Sequence, residues 1–268
     1  MLLDPVPPGT RPRLSDREAT PPEHLPRGDE AHEALATLMP RLVERQAQLY
    51  AEGRRALLVV LQARDTGGKD GTIRSVFGPL NSQGCTVTSF RRPTELELSH
   101  DFLWRIHQAV PPRGTIGIFN RSQYEDVLVV RVHDLVKKSV WSKRYDQIND
   151  FERMLTENGV TVLKFFLHIS REEQRKRLLS RLQDPKKNWK FQPGDLDERK
   201  LWGDYTAAYR DMVGRCSTEW APWYVVPANR NSTRDLLVAS TVLHALDRLD
   251  PSYPRADPAV LSAVRKFS

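Results

Sequence analysis

A chain of 268 residues, 39% of them hydrophobic, can bury one sizeable core, and an α/β domain of that length need not be divided. Two cysteines far apart, Cys85 and Cys216, exclude a disulfide framework and a cysteine zinc site and fit a reducing, cytoplasmic setting. No run approaches the ~20 apolar residues that span a bilayer, the proline-rich start is no signal peptide, and a net charge of +7 calls for a negative partner: nucleotide, nucleic acid or polyphosphate.

Seven of the 19 prolines fall within the first 26 residues, so residues 1–29 read as an extended arm, packed over the surface or dangling, without chemistry of its own. From Glu30 to Glu52, Ala34, Leu35, Leu38, Leu42, Val43 and Leu49 recur at helical spacing, with Pro40 placed to kink or divide a packing helix. Apolar or β-branched runs follow at 56–61, 85–90, 115–119, 160–169 and 223–226, separated by segments of helical pattern. That alternation predicts a parallel sheet with right-handed crossovers: a three-layer α/β/α fold over residues 30–250, a tail at 251–268, and an active site at the carboxyl ends of the strands.

The first run ends in Ala63-Arg64-Asp65-Thr66-Gly67-Gly68-Lys69-Asp70-Gly71-Thr72, a strand entering a glycine-rich turn that presents a lysine. Such a loop aims backbone N–H groups at phosphate oxygens, and the helix behind it adds its positive dipole end, so Gly67, Gly68, Lys69 and Asp70 are candidates to bind phosphate. The copy departs twice from G-x-x-x-x-G-K-[ST]: Ala63 stands at the first glycine, and Asp70 where a magnesium-binding hydroxyl is expected. With Asp65 as an extra carboxylate inside the turn, phosphate and metal are expected to be handled by a variant arrangement.

The third run leads into Phe119-Asn120-Arg121-Ser122-Gln123-Tyr124-Glu125-Asp126. Asn120 replaces the usual strand-end aspartate; an amide can hold a magnesium-bound water but brings no charge, so carboxylates must come from elsewhere. Asp65 and Asp126 are the candidate Mg²⁺ ligands, with Glu125 beside them; the competing reading of Glu125 and Asp126 is an acidic first turn that caps a helix. Arg121 reads as a phosphate clamp in preference to a salt bridge under the sheet, and Arg131 either joins it or is an ordinary helix charge.

Between Arg171 and Lys190 eight basic residues face three acids, either a solvated helix face or a lid (about 171–195) over a polyanion, with Arg181 and Lys187 reaching the substrate. The six tryptophans read mainly as packing residues, the seven histidines show no metal-ligand pairing, and Asn229, Arg230 and Asn231 after the last strand read equally as a base-holding loop or a plain turn.

Residues 65–71, Phe119-Asn120-Arg121-Ser122 with Tyr124-Glu125-Asp126, Arg181-Leu182 with Asp184-Pro185, Trp189-Lys190-Phe191, Asp195-Leu196, Trp202 and Trp220-Ala221-Pro222-Trp223 together resemble the polyphosphate kinase 2 family, from about Gly53 to Leu249. The resemblance implies a P-loop kinase fold akin to thymidylate kinase, Mg²⁺ dependence, a homo-oligomer, and phosphoryl transfer between inorganic polyphosphate and adenine nucleotides, guanine nucleotides being further candidates. It implies Asp65 and Lys69 as the Walker A catalytic pair, Arg121 as a phosphate-binding arginine and Arg181 as a lid arginine. Asn120 and Glu125 resemble the class that accepts both mono- and diphosphates. Two readings compete: an ATP-dependent nucleotide kinase, which would keep serine or threonine at position 70, and a noncatalytic nucleic-acid module, which has no need of Asp65 or Asp126. Neither nucleic acid nor membrane is the expected partner.

Overall fold

The computed structural model describes residues 2–191 and 194–257. Strand β1 (Ala56–Ala63) is buried along its whole length because it is central and covered on both faces. Leu57, Val59, Leu61 and Ala63 pack on one side and Leu58 and Val60 on the other, the two-residue period of a strand feeding two separate cores. The other strands are β2 (Cys85–Ser89), β3 (Ile116–Asn120), β4 (Val160–His168) and β5 (Trp223–Pro227), matching the five runs read from the sequence. All pair in parallel in the order β2-β3-β1-β4-β5. The described residues include ten α-helices: α1 (Gly28–Glu52), α2 (Lys69–Thr72, continued by a π-helical turn at Ile73–Phe77), α3 (Glu95–Leu98), α4 (Trp104–Gln108), α5 (Val129–Val132), α6 (Lys138–Glu157), α7 (Arg171–Gln183), α8 (Gly194–Lys200), α9 (Trp202–Cys216) and α10 (Asn231–Leu249). Helices α1 and α10 cover one face; α6 and α9 cover the other. This is the expected three-layer sandwich.

Helix α1 begins two residues earlier than the periodicity indicated and runs through Pro40 as one element. Proline removes one N–H, but its acceptor four residues back, Ala36, is exposed, so the orphan carbonyl meets water. The helix ends at Gly53, whose φ of 63° is the left-handed turn that a glycine accepts. The arm does not dangle. Leu14 and Ala19 are buried, and Val6 N donates to Trp223 O at 2.8 Å, which ties the arm to the edge strand β5. The tail expected at 251–268 is described only as far as Asp257. No described helix is long and apolar enough to cross a membrane.

One charged knot lies inside the core. Lys164 Nζ, fully buried on β4, donates to Glu152 Oε2 (2.5 Å), Tyr124 Oη (2.8 Å) and Cys216 O (2.6 Å). Gln123 and Tyr124 also donate to Glu152 Oε1, at 3.0 and 2.7 Å. A buried ion pair whose carboxylate accepts three hydrogen bonds ties α6 and α9 to the turn after β3, and that turn carries Glu125. Cys216, enclosed beside it, has its thiol pushed up to about 12 by burial and is chemically quiet.

Candidate active site

Two adjacent strand ends, those of β1 and β3, build the site, which places it where an open α/β sheet binds ligands. The turn from Asp65 to Gly71 lines a cavity of about 270 Å³ with Arg177, Ser180, Arg181 and Lys187 on its far wall. Thr66 (φ 60°) and Gly68 (φ 100°) adopt left-handed conformations. A β-branched residue pays on the order of 1–3 kcal/mol for that geometry. Two bonds hold it: Thr66 Oγ1 donates to Asp65 O (2.7 Å), and Thr66 O accepts from Arg177 Nη1 (3.0 Å). A Cβ on Gly67 would stand 2.5 Å from Ala63 Cβ. The alanine that breaks the usual motif is therefore matched by a glycine four residues on.

Behind the loop stands a residue that the sequence reading missed. Arg234, in the first turn of α10 and 2% exposed, packs its guanidinium where a Cβ on Gly68 would stand 1.9 Å from Nη1. Asp235 Oδ1 accepts from Arg234 Nε (2.8 Å) and from Thr72 Oγ1 (2.9 Å), and Asn231 Oδ1 accepts from Arg234 Nη1 (2.7 Å), so α10 braces α2. More than 160 residues separate these partners, and no local pattern marks them. Asn231 thus serves Arg234, and none of Asn229, Arg230 and Asn231 lines the cavity.

Lys69 rests its Nζ 3.4 Å from Ala63 O. Burial pushes its pKa down to about 8, Arg121 acts in the same direction, and Glu125, Asp65 and Asp70 oppose both. Asp65 Oδ2 accepts from Arg181 Nη1 at 3.2 Å, and Arg181 lies 3.7 Å from Asp195. Asn120 Nδ2 donates to Asp70 Oδ1 at 2.8 Å. Arg121 holds a strained φ of 65° and pairs with Glu125 Oε2 at 3.3 Å, which raises the pKa of its guanidinium. Gln62, with its amide turned to satisfy its neighbours, donates to Glu125 Oε1 (3.1 Å) and accepts from Ser122 Oγ (3.0 Å). Asp65, Lys69, Asp70, Asn120, Arg121, Glu125 and Arg181 therefore form one connected set.

Two candidates do not join it. Asp126 is buried and pairs with Arg144 Nη1 at 2.8 Å; burial pushes its carboxyl up to about 6 even so. The turn at Gln123–Val127 is a 3₁₀ helix, in which each residue advances ~120° and successive side chains diverge. Glu125 therefore faces Arg121 while Asp126 faces α6, and the expected Asp65–Asp126 metal pair is not formed. Arg131 likewise lies outside the cavity lining: it donates to Asp211 Oδ2 (2.8 Å) and Tyr145 Oη (3.2 Å) and lies 4.8 Å above Trp141, joining α5 to α6 and α9.

The basic helix α7, expected as part of a lid, is hydrogen-bonded to the phosphate loop. Gln174 Nε2 donates to Asp65 O (3.3 Å), and Arg177 donates to Thr66 O (3.0 Å) and Ala228 O (2.7 Å), so its first turns form a fixed wall of the loop. Lys187, beyond the helix, reaches the cavity and pairs with Asp184 at 2.7 Å. Of the tryptophans, Trp141 and Trp223 are buried, Trp202 stacks on Arg64 at 3.7 Å, and Trp189 is 73% exposed.

Comparison with known proteins is consistent with this geometry. The family description Polyphosphate kinase 2 (PPK2) matches residues 27–254. An AMP/ADP-polyphosphate phosphotransferase of Meiothermus ruber is 56% identical over 229 residues, 85% of this chain and 86% of the relative. An ADP-polyphosphate phosphotransferase of Rhodopseudomonas palustris is 47% identical over 240 residues, 85% of this chain and 83% of the relative. A crystal structure of polyphosphate kinase 2 from Arthrobacter aurescens TC1 superposes with a TM-score of 0.86 at 46% identity, covering 90% of this chain and 87% of that one.

Proposed function

The chain belongs to the polyphosphate kinase 2 family, and on that premise we propose that it moves a phosphoryl group between inorganic polyphosphate and AMP or ADP. The observation that carries this reading is the convergence of Lys69, Asp65 and Arg181 on a backbone phosphate cradle, with Arg121 behind them. Asn120 and Glu125, the pair that resembles the mono- and diphosphate-accepting class, support both acceptors.

Phosphoryl transfer passes through a loose transition state with charge spread over the equatorial oxygens, so position and positive charge do most of the catalysis. The N–H groups of residues 68–71 hold the phosphates, that of Gly67 being given to Arg64 O (3.0 Å), and Lys69 and Arg121 neutralise the transferred group. Arg181 exchanges its bond to Asp65 for polyphosphate oxygens, which frees the carboxylate as the polyanion arrives. An arginine that completes charge stabilisation only in the transition state is worth ~10³-fold or more in rate. The acceptor phosphate is already anionic and needs no strong base, so Asp65 positions and balances charge and takes no proton.

Among the described residues no cluster of three histidine, cysteine or acidic side chains forms a ready cage for a metal. Mg²⁺ does not require one, since it takes one or two carboxylates and fills its octahedron with phosphate and water. Asp65 and Asp70, both lining the cavity, fit that need. When held by Asp65 and Asp70, the ion would offset the charge of the phosphates. The homo-oligomer and cytoplasmic setting expected from the sequence belong to the same proposal.

The test is direct. The purified chain with Mg²⁺, polyphosphate as sole donor and AMP or ADP yields ADP and ATP; failure with both acceptors sinks the reading.

A further inference from the structure

The residues ahead of the family match cross the carboxyl ends of β4 and β5 and hold the base of α7. Asp16 Oδ1 accepts from Arg171 N (3.2 Å), at the first residue of α7, and Ser15 O lies 2.8 Å from His168 Nε2 at the end of β4. Ala19 O accepts from Asn229 N (3.0 Å), and Thr20 Oγ1 accepts from Asn229 Nδ2 (2.9 Å). Asn229 closes the circle: Oδ1 accepts from Ser170 N (3.0 Å), and Nδ2 reaches Ser170 Oγ (3.2 Å). Ser170 is the N-cap of α7, accepting from Glu173 N at 3.2 Å. Arm, strand end and helix start thus share one hydrogen-bonded knot.

From that knot α7 carries Gln174, Arg177 and Arg181 at spacings of three and four, a single helical face turned to the phosphate loop. Arg181 lies ten residues from Arg171, about 15 Å along the axis at 1.5 Å per residue. A small tilt at the base therefore displaces the guanidinium at the other end. Asp16 also places a carboxylate at the positive end of the helix dipole, which favours an intact first turn.

We propose that the N-terminal arm is a positioning element of the transfer site: Asp16 and Thr20, acting through the first amide of α7 and through Asn229, fix the helix so that Arg181 meets Asp65 and the phosphate chain. The inference rests on the polyphosphate reading and adds to it a part played by residues outside the family match. Among the described residues no hydrogen bond or ion pair joins an arm side chain to a residue that lines the cavity; the arm acts by holding what does.

The experiment uses the full chain. Asp16→Ala and Asn229→Asp remove arm contacts at α7, whereas Arg11→Ala loosens the arm at its ion pair with Asp211 (2.5 Å), away from α7. Kinetics with varied polyphosphate and amide hydrogen exchange at residues 171–173 are measured for each. Misplacement of a reacting group by ~1 Å costs up to 10²-fold, so the first two variants are expected to lose roughly tenfold or more in kcat. The KM for nucleotide stays within about twofold, and exchange at 171–173 quickens. Asp16→Asn keeps the acceptor oxygen and recovers most of the rate; Arg11→Ala lowers Tm without either change. Wild-type kcat and exchange in both α7-side variants, or an equal kcat loss in Arg11→Ala, overturns the proposal. A wild-type chain inactive with polyphosphate fails earlier and distinctly, because that result strikes the functional reading before any variant is made.

Discussion

Asn120 donates its side-chain amide to the carboxylate of Asp70 across 2.8 Å, joining the end of β3 to the first turn of α2. In the usual P-loop arrangement the hydroxyl sits on the loop and the carboxylate on the strand. Here the acid is on the loop and the neutral donor on the strand. The two departures that look separate in the sequence are two halves of one bond.

That pairing predicts the behaviour of swapped residues. Asn120→Asp sets two carboxylates against each other, so metal-free protein should show a lowered Tm that Mg²⁺ restores. The double variant Asp70→Asn with Asn120→Asp rebuilds the bond with donor and acceptor exchanged. A thermodynamic cycle over the wild type, the two single variants Asp70→Asn and Asn120→Asp, and the double variant should give a coupling of about 1 kcal/mol. Additive effects would show that the two side chains act independently.

Much of the site is legible in the sequence, for a physical reason. A phosphate cradle is local: Asp65, Lys69 and Asp70 are neighbours in the chain, as are Asn120, Arg121 and Glu125, and two parallel strand ends bring the groups together. What a sequence hides is direction and distance. Asp126 and Glu125 are adjacent letters, yet the 3₁₀ turn sends one to Arg144 and the other to Arg121. Arg234 and the Asp16–Asn229 knot depend on contacts more than 150 residues apart, which no spacing rule registers.

The pH profile should carry the mark of Lys69. Burial disfavours the ammonium and pushes its pKa from the ordinary 10.5 down to about 8. Transfer needs the charged form, so kcat/KM for polyphosphate should fall as pH rises through about 8, while kcat, which reports the polyanion-bound enzyme, should hold to higher pH. The stability term runs the other way. Between 8 and 10.5 the unfolded chain keeps a proton that the native chain has released, so this group adds stability as pH rises across that window. A kcat/KM profile flat to pH 10 would remove Lys69 from charge stabilisation.

Asp65 and Asp126 should separate cleanly. Asp65→Asn removes the partner of Arg181 inside the cavity and should lower kcat on the order of 10³-fold with little change in Tm. Asp126→Asn acts on a buried pair with Arg144 and should alter Tm, leaving the kcat of folded protein within about tenfold. Equal kcat losses from the two would return Asp126 to the reaction.

Gly68 has no room to change. Alanine there meets the Arg234 guanidinium and inherits a φ of 100°, so Gly68→Ala should cost on the order of 1–3 kcal/mol in denaturant unfolding and most of the activity. Removing Arg234 as well should not restore wild-type turnover, because the backbone penalty stays. Full recovery in that double variant would assign the whole cost to the clash.

The central claim is that Lys69 neutralises a phosphoryl group passing between polyphosphate and nucleotide. Its most direct test is the initial rate of ATP formation from ADP by Lys69→Ala, at saturating polyphosphate and Mg²⁺, beside the wild-type chain. A fall on the order of 10³-fold or more with Tm unchanged is the predicted result; a rate within about tenfold of wild type would contradict the account.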